Sequence, residues 1–463
     1  MSLTNRDYFI ITVFLALVFV LAYIQRRKNP DSDSFLIAPT RFDSLVSIEF
    51  GLIEVILAGF AGAVYGFNAI YYVCIVLILQ SVVQKILANN YAKVSVNNFN
   101  DYIAVKQNKI IATIAALLNI LLLLFCVSIA ISTAFKALQS LMGYGFINNV
   151  MGLLGFTVMC VLIGGRIGLS YTKLLYFAII FAAFIAVIVL GLNNMGGLGV
   201  LSHNLNNLAL AQNLAPDYYV IPKATPDTAY LILFILLGLG GFRLITTSSS
   251  VANNKNLMAS LIIAVLLILP GVIALGTVST SGVIDGKKIV TVMAQLPDGQ
   301  TGYVIKAVDN KDTKTDTAPG IIPPILDTKT NILVPNKYNY NLANLVVFRH
   351  YLPSSVMVLA LIMIFAAFML AVSNYMMHLG RITLNNILIP LELIAKYGKI
   401  GELWSLQVFI VGFTGVTLVL SYFLFIHYDL LLFIKIVIAI FVIPLLLILF
   451  ISLFIKPRNA QKK

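Results

Sequence analysis

Charge is scarce in this sequence. Only 11% of the residues are Asp, Glu, Lys or Arg while 60% are hydrophobic, a balance that excludes an ordinary water-soluble domain. Many apolar runs reach the roughly 20 residues that cross a bilayer as helix. The chain therefore reads as a polytopic membrane protein. Cysteine is nearly absent: Cys74, Cys126 and Cys160 all fall inside apolar runs without metal-like spacing, which argues against a disulfide frame or a zinc site. No cluster of His, Asp, Cys or Ser has catalytic spacing, and no phosphate-binding glycine motif is present, so neither an intramembrane enzyme nor a nucleotide-driven pump is indicated. His203, His350, His378 and His427 are isolated at expected helix ends or loops, which suits surface roles. The first apolar run lacks a basic leader and a small-residue cleavage site, so it reads as a retained helix.

The net charge of +13 does not indicate nucleic acid, because Lys and Arg sit in short connections between apolar runs rather than in a patch or arm. Those runs fall at 8–25, 45–66, 69–89, 109–139, 147–165, 171–192, 228–246, 256–278, 352–379, 404–426 and 430–455, which makes eleven spans. With the N-terminus outside, the cytoplasmic connections collect Arg26, Arg27, Lys28, Arg41, Lys93, Lys106, Lys109, Arg166, Lys173, Arg243, Lys255, Arg381, Lys396 and Lys399. The short connections at 67–68, 140–146 and 427–429 hold none. The positive-inside rule then sets the N-terminus outside and the C-terminus inside. Two long connections, 193–227 and 279–350, lie outside; the second alternates apolar and polar residues around "PDGQ", the pattern of a small β-hairpin.

Two spans carry glycines in their interiors. Gly51, Gly59, Gly62 and Gly66 interrupt the second, and "LLGLGGFRLITTSSS" places Gly238, Gly240 and Gly241 in the seventh, before a run of hydroxyls. These spans are equivalent if spans two to six repeat as spans seven to eleven with inverted topology. Paired glycine-interrupted helices at equivalent positions point to a transporter's midplane site, because unwound turns free carbonyls and amides to hold solute and ions. The plainer reading is that the glycines permit close helix packing.

Several stretches carry a resemblance to a known family. "DSDSFLIAPTRFDSL", the Gly59, Gly62, Tyr65 and Gly66 pattern, "NNFNDYIAVKQNK", "GGRIGLSYTK" and "YLPSSVMVLALIMIFAAFMLAVSNYMMHLGRITLNNI" are similar to successive segments of the sodium:solute symporter family, which includes sodium–glucose and sodium–proline transporters. The resemblance covers nearly all of 8–455. It implies an all-α polytopic fold with the five-plus-five inverted repeat of the leucine transporter and one extra N-terminal helix. It also implies a sodium ion held between backbone carbonyls of the first core helix and a carbonyl plus two hydroxyls of the eighth. Matched residue by residue, Glu49 and Leu52 fall at the first set of carbonyls and Ala367 at the last, but Leu370 and Ala371 stand where the hydroxyls belong. Two oxygen ligands are missing, which weakens or abolishes a site for a hard cation. Lys173 stands in "GGRIGLSYTK" where the family usually has an acidic residue.

Two carboxylates inside the second span then need a role. At 1.5 Å per residue from Ser44, Glu49 lies roughly 8 Å and Glu54 roughly 15 Å from the cytoplasmic boundary. Glu54 shares a helix face with Gly51, Ala58 and Ala61, a small-residue stripe expected to face the bundle interior. Intramembrane carboxylates are candidate functional sites by default. In one reading Glu49 pairs with Lys173, and a lysine ammonium in a desolvated site replaces sodium, exchanging a proton to couple transport. In a second, Glu49 or Glu54 makes good the missing hydroxyls. In a third, Glu49 snorkels to the interface, Glu54 is a protonated hydrogen-bonder and Lys173 only follows the charge rule. Asn119, Ser128, Ser132 and Thr133 suit either a solute path or interhelical hydrogen bonds, and Lys435 inside the last span suits snorkelling or pairing.

The expected organisation is an N-terminal helix and link (1–43), a first repeat (44–192), an external loop (193–227), a second repeat (228–455) with the external insertion 279–350, and a cytoplasmic tail (456–463). The expected function is secondary transport of a small polar organic solute by alternating access, sodium-coupled as in the family or proton-coupled instead. Glu54, Ala58, Gly59, Gly62, Tyr65, Gly238, Gly240 and Gly241 would hold solute, and Glu49, Leu52, Ala367, Leu370, Ala371 and Lys173 would couple the ion. A sensor or accessory subunit that kept this fold without coupled transport is the competing class. No cofactor is expected beyond a possible sodium ion. The expected partners are the solute and the lipid bilayer of a bacterial inner (plasma) membrane, with no nucleic acid.

Overall fold

The computed structural model describes residues 4–25, 35, 52–94, 96, 99–142, 147–211, 215, 217–221, 236, 245, 254–276, 282–284, 287–295, 301–309, 324–326, 333–338, 343–353, 356–390, 398–426 and 430–455. In chain order the helices are α1 (Asn5–Gln25), α2 (Leu52–Tyr65), α3 (Asn68–Lys93), α4 (Phe99–Lys106), α5 (Lys109–Met142), α6 (Ile147–Met195), α7 (Leu198–Ala211) and α8 (Asn254–Gly276). Five strands follow, then α9 (Ala343–Tyr351), α10 (Met357–Thr383), α11 (Gly398–Ile426), α12 (Leu430–Val437) and α13 (Ile443–Phe454). Among the described residues seven helices are long and apolar enough to cross a membrane, and three shorter apolar helices join them. Together they fall on ten of the eleven expected runs; the run 228–246 lies outside the described residues except for Leu236 and Ile245.

Lipid cannot drive helices together by hydrophobicity, so close packing has to. The helix α10 is apolar on every side and buried along almost its whole length, which places it at the centre of the bundle against α6 and α5. By contrast α3 and α11 turn Ile75, Ile78, Val82, Val411, Val419 and Tyr422 outward. The closest approach joins α2 and α8. A Cβ on Gly62 would overlap the Ile268 carbonyl oxygen and lie 2.9 Å from the Val272 nitrogen, and one on Gly271 would overlap the Gly59 carbonyl oxygen. Each glycine thus admits the other helix's backbone.

The fifth and sixth expected spans stand as two helical stretches of α6 that meet at a non-helical break at Gly165. Its φ of 54° and ψ of −156° suit glycine alone. The last span contains a π-helical turn, Ile438–Val442, immediately before Pro444. Proline has no N–H to donate, and the wider turn absorbs the lost bond.

Both long connections hold more structure than the sequence indicates. In the first, α7 covers the end of α8, with Asn204 Nδ2 donating to the Gly276 carbonyl at 3.2 Å. Nearby, the turn 217–220 receives the Phe67 N–H on the Tyr219 carbonyl at 2.9 Å and the Asn68 amide on the Tyr218 carbonyl. In the second, β2 (Lys287–Gln295) and β3 (Thr301–Asp309) form the expected antiparallel hairpin, joined by β1 (Gly282–Ile284) and followed by the pair β4 (Pro324–Leu326) and β5 (Leu333–Tyr338). The helix α9 was not expected there. It buries Leu345, Val347 and Phe348 among α2, α5, α6, α8 and α10, closing the bundle at that end.

At the opposite end Lys106 on α4 donates to the Ile455 carbonyl at 2.7 Å and Gln107 to the Ser452 hydroxyl at 2.9 Å. A lysine capping the last carbonyls of a helix is favoured by the helix dipole. The same ammonium stands 5.6 Å from the centre of the Tyr102 ring. Burial pushes the Tyr102 hydroxyl above its ordinary range, so the contact is one of cation with neutral ring.

Candidate functional site

The candidate residues gather where α2, α5, α6 and α10 meet. The centre of α5 carries Cys126, and the Glu54 carboxylate of α2 lies within electrostatic range of it. Glu54 therefore stands near mid-depth of the bundle, as the residue count from Ser44 indicates. It is half-buried and engaged in an interaction, with Ala58 one turn on and also half-buried. Tyr65 closes the stripe, its ring 6.5 Å from that of Tyr72. Gly59 and Gly62 lie on the face that crosses α8. Glu49, Gly238, Gly240 and Gly241 lie outside the described residues.

The polar residues of α5 separate into two groups. Ser128 and Ser132 donate to their own helix and to the carbonyls of Thr417 and Ser421 on α11 at 3.2 and 3.0 Å, which is the interhelical role. Asn119 and Thr133 are buried with no hydrogen-bond partner on their side chains. They share one face with Cys126, at seven-residue spacing.

On α10, Ala367, Leu370 and Ala371 are fully buried, as is Leu52 at the start of α2. At 370 and 371 the bundle interior thus meets alkyl groups. The residues present do not supply the two side-chain oxygens that a sodium ion held in the family's manner needs. Lys173 is 6% exposed and engaged in an interaction. That differs from a lysine resting in a solvated connection. Its helix runs antiparallel to α10: Gly191 of α6 approaches Tyr351, ahead of α10, and Tyr176 reaches Met369. Lys173 precedes Tyr176 by three residues, about 4.5 Å along the axis and so one turn of the same helix. A buried lysine is thus carried on the helix that packs against the stretch of α10 holding positions 370 and 371.

His378 lies half-buried within α10 rather than at a helix end, whereas His203 is exposed on α7 and Lys435 is exposed on α12. Sequence reasoning passed over Gly271 and Tyr176. A signal was available for the first, since "PG" inside an apolar run marks a backbone approach; for Tyr176 there was none, because its burial beside Met369 is a tertiary relation.

The fold is shared with solved transporters. A structure described as the substrate-bound outward-open state of a Na+-coupled sialic acid symporter superposes with a TM-score of 0.63, over 98% of this chain and 88% of that one, at 11% identity. No curated protein sequence matches. The sequence model of the sodium:solute symporter family matches residues 54–308, a span that includes α2 from Glu54 on, the crossing glycines, α5 and Lys173. That match covers more than half of the chain, and on it this membrane protein belongs to the sodium:solute symporter family, a family of cation-coupled solute transporters and not of enzymes.

Proposed function

We propose that the chain carries a small polar organic solute across the membrane by alternating access, and that coupling passes through Lys173. One observation carries this reading: Lys173 is buried on α6, the helix packed most extensively against α10, on which Leu370 and Ala371 are buried too. A protonated Nζ supplies there the single positive charge that sodium supplies in relatives, and loss of the proton removes it. Binding and release of the proton then bias the bundle between states as a bound ion would. Glu49 and Glu54 are the carboxylates that the sequence offers to balance that charge.

The solute is placed beside α2, between Glu54, Ala58 and Tyr65. Gly59 and Gly62 set the crossing that frames this space, and Gly238, Gly240 and Gly241 are assigned to it on the sequence pattern alone. The core is read as a five-plus-five inverted repeat, 44–192 and 228–455, in eleven spans, with the N-terminus outside and the cytoplasmic side of an inner membrane at α4. Glu54→Gln removes a charged hydrogen-bonding group from that space. It is expected to change the solute concentration giving half-maximal uptake by about 10-fold, measured as radiolabelled uptake in proteoliposomes.

The alkyl side chains at 370 and 371 equally suit a sensor or accessory subunit that does not transport. Solute flux separates the two, since a non-transporting subunit binds solute without accumulating it. Thermal unfolding in a sodium titration, with potassium as the ionic-strength control, tests the ion. A melting temperature that follows potassium and sodium identically is expected for a lysine-coupled protein. Saturable stabilisation by sodium alone would sink that coupling scheme and return the site to a cation held by Glu49 or Glu54.

A further inference from the structure

The helix α1 lies outside the proposed repeats, and a helix that only anchors a chain in lipid needs no particular seam. This one has a built seam. Phe14, Val18, Ala22 and Gln25 are buried along one face, while Phe9, Leu17, Tyr23 and Ile24 face outward. Against α6 the approach is tight: a Cβ on Gly164 would lie 3.1 Å from the Ala22 Cβ, and one on Gly168 would lie 3.4 Å from the Ala22 Cα. Two turns away, the Phe14 ring packs at 6.3 Å on the ring of Tyr176.

Tyr176 is 1% exposed. Its hydroxyl reaches the Met369 sulfur at 3.9 Å. A phenol is costly to bury where phenylalanine would fill the same space, unless its hydroxyl has work there. Met369 immediately precedes Leu370 and Ala371, and Tyr176 lies one turn from Lys173. The contacts therefore run without a gap from α1 through Phe14 and Tyr176 to the turn of α10 that faces the coupling position, and α1 also touches α10 directly.

We infer that α1 is a positioning element of the coupling site: Phe14 holds the Tyr176 ring, and Tyr176 sets both the Met369–Ala371 turn and the helix face that carries Lys173. This inference rests on the coupling scheme proposed above. Sites of this kind tolerate displacements of only about 0.5 Å, so loosening the outer helix should be felt as weaker coupling rather than weaker solute binding. Charged or titratable groups on the helices packed around α6 include Arg6 and Asp7 on α1, Lys109 and Lys136 on α5, His203 on α7, His378 and Arg381 on α10 and Glu402 on α11. The substitutions below leave all of them in place.

The test uses the full chain in proteoliposomes, with uptake driven in turn by an imposed sodium gradient and an imposed pH gradient. Tyr176→Phe keeps the ring and removes only the hydroxyl; Phe14→Ala removes the ring that holds it; Phe14→Tyr keeps a ring there. Tyr176→Phe and Phe14→Ala are each expected to raise the driving-cation concentration for half-maximal uptake about five-fold. The solute KM at saturating drive stays unchanged, and Phe14→Tyr behaves as the parent. If the parent shows no cation-driven accumulation, the coupling scheme and this inference fall together. If the parent accumulates solute and both variants match it in cation dependence, or shift solute KM and cation dependence alike, only the inference falls and α1 is an anchor.

Discussion

Lys173→Ala is expected to abolish concentrative uptake: solute should equilibrate across the membrane but not accumulate against a gradient, a loss to background. The lysine is buried on α6, and in the proposed scheme its ammonium is the only charge that alternates at the α6–α10 interface. An alanine there removes the group that takes up and gives back the proton in that scheme, so an imposed pH gradient no longer biases the bundle between its states. Counterflow, which needs only that solute reorients the carrier, should persist, and this separates lost coupling from lost folding. A melting temperature close to that of the parent protein completes the control. Lys173→Arg should not rescue, because a guanidinium holds its proton throughout the working range. Normal pH-driven accumulation by Lys173→Ala would remove the lysine from the mechanism.

Gly271→Val should have the largest effect on folding. The added Cβ would occupy the position of the Gly59 carbonyl oxygen and come within 3.0 Å of the Ala63 nitrogen. Neither obstacle is a flexible side-chain end. The helices α2 and α8 would have to separate, losing the contact along their whole crossing, at a cost of about 3 kcal/mol or more. Poor accumulation in the membrane and a melting temperature lowered by many degrees in detergent are expected. Gly155→Val is the control, since a Cβ there meets nothing. If both variants melt alike, the crossing is softer than its backbone contacts indicate.

Helix positions were legible in the sequence because a span needs only length and apolarity. The inward and outward faces of each helix were not. In water an amphipathic stripe marks the buried side, but here both sides are apolar, so Val82 and Val76 on α3 look alike although one is exposed and the other buried. Polarity gave partial guidance. Glu54 was placed at mid-depth by counting residues, and its proximity to Cys126 agrees. Ser128 and Ser132 were ambiguous between solute path and helix contact, and only the approach of the Thr417 and Ser421 carbonyls decides for the latter.

The hairpin at 287–309 was legible because alternation around a turn is a local pattern. The covering helix α9 was not, since Ala343–Tyr351 is a short stretch whose apolar residues gain their meaning from the five helices around them. The same holds for Lys173. Composition offered a lysine near a connection, for which the charge rule is a sufficient explanation. Burial on α6, a helix packed against α10, is a property of helices brought together from distant parts of the chain.

By itself the sequence determined that this protein lies in a membrane, about where its helices run and which family it belongs to. Each follows from signals contained in one stretch of chain: twenty apolar residues, a charge at their end, a glycine pattern. The tertiary structure decided which glycines are pressed against another backbone, which lysine is enclosed and what stands beside it. Those are relations between residues as far apart as Phe14, Tyr176 and Met369, and in a lipid solvent that rewards no apolar face over another, only the packed helices specify them.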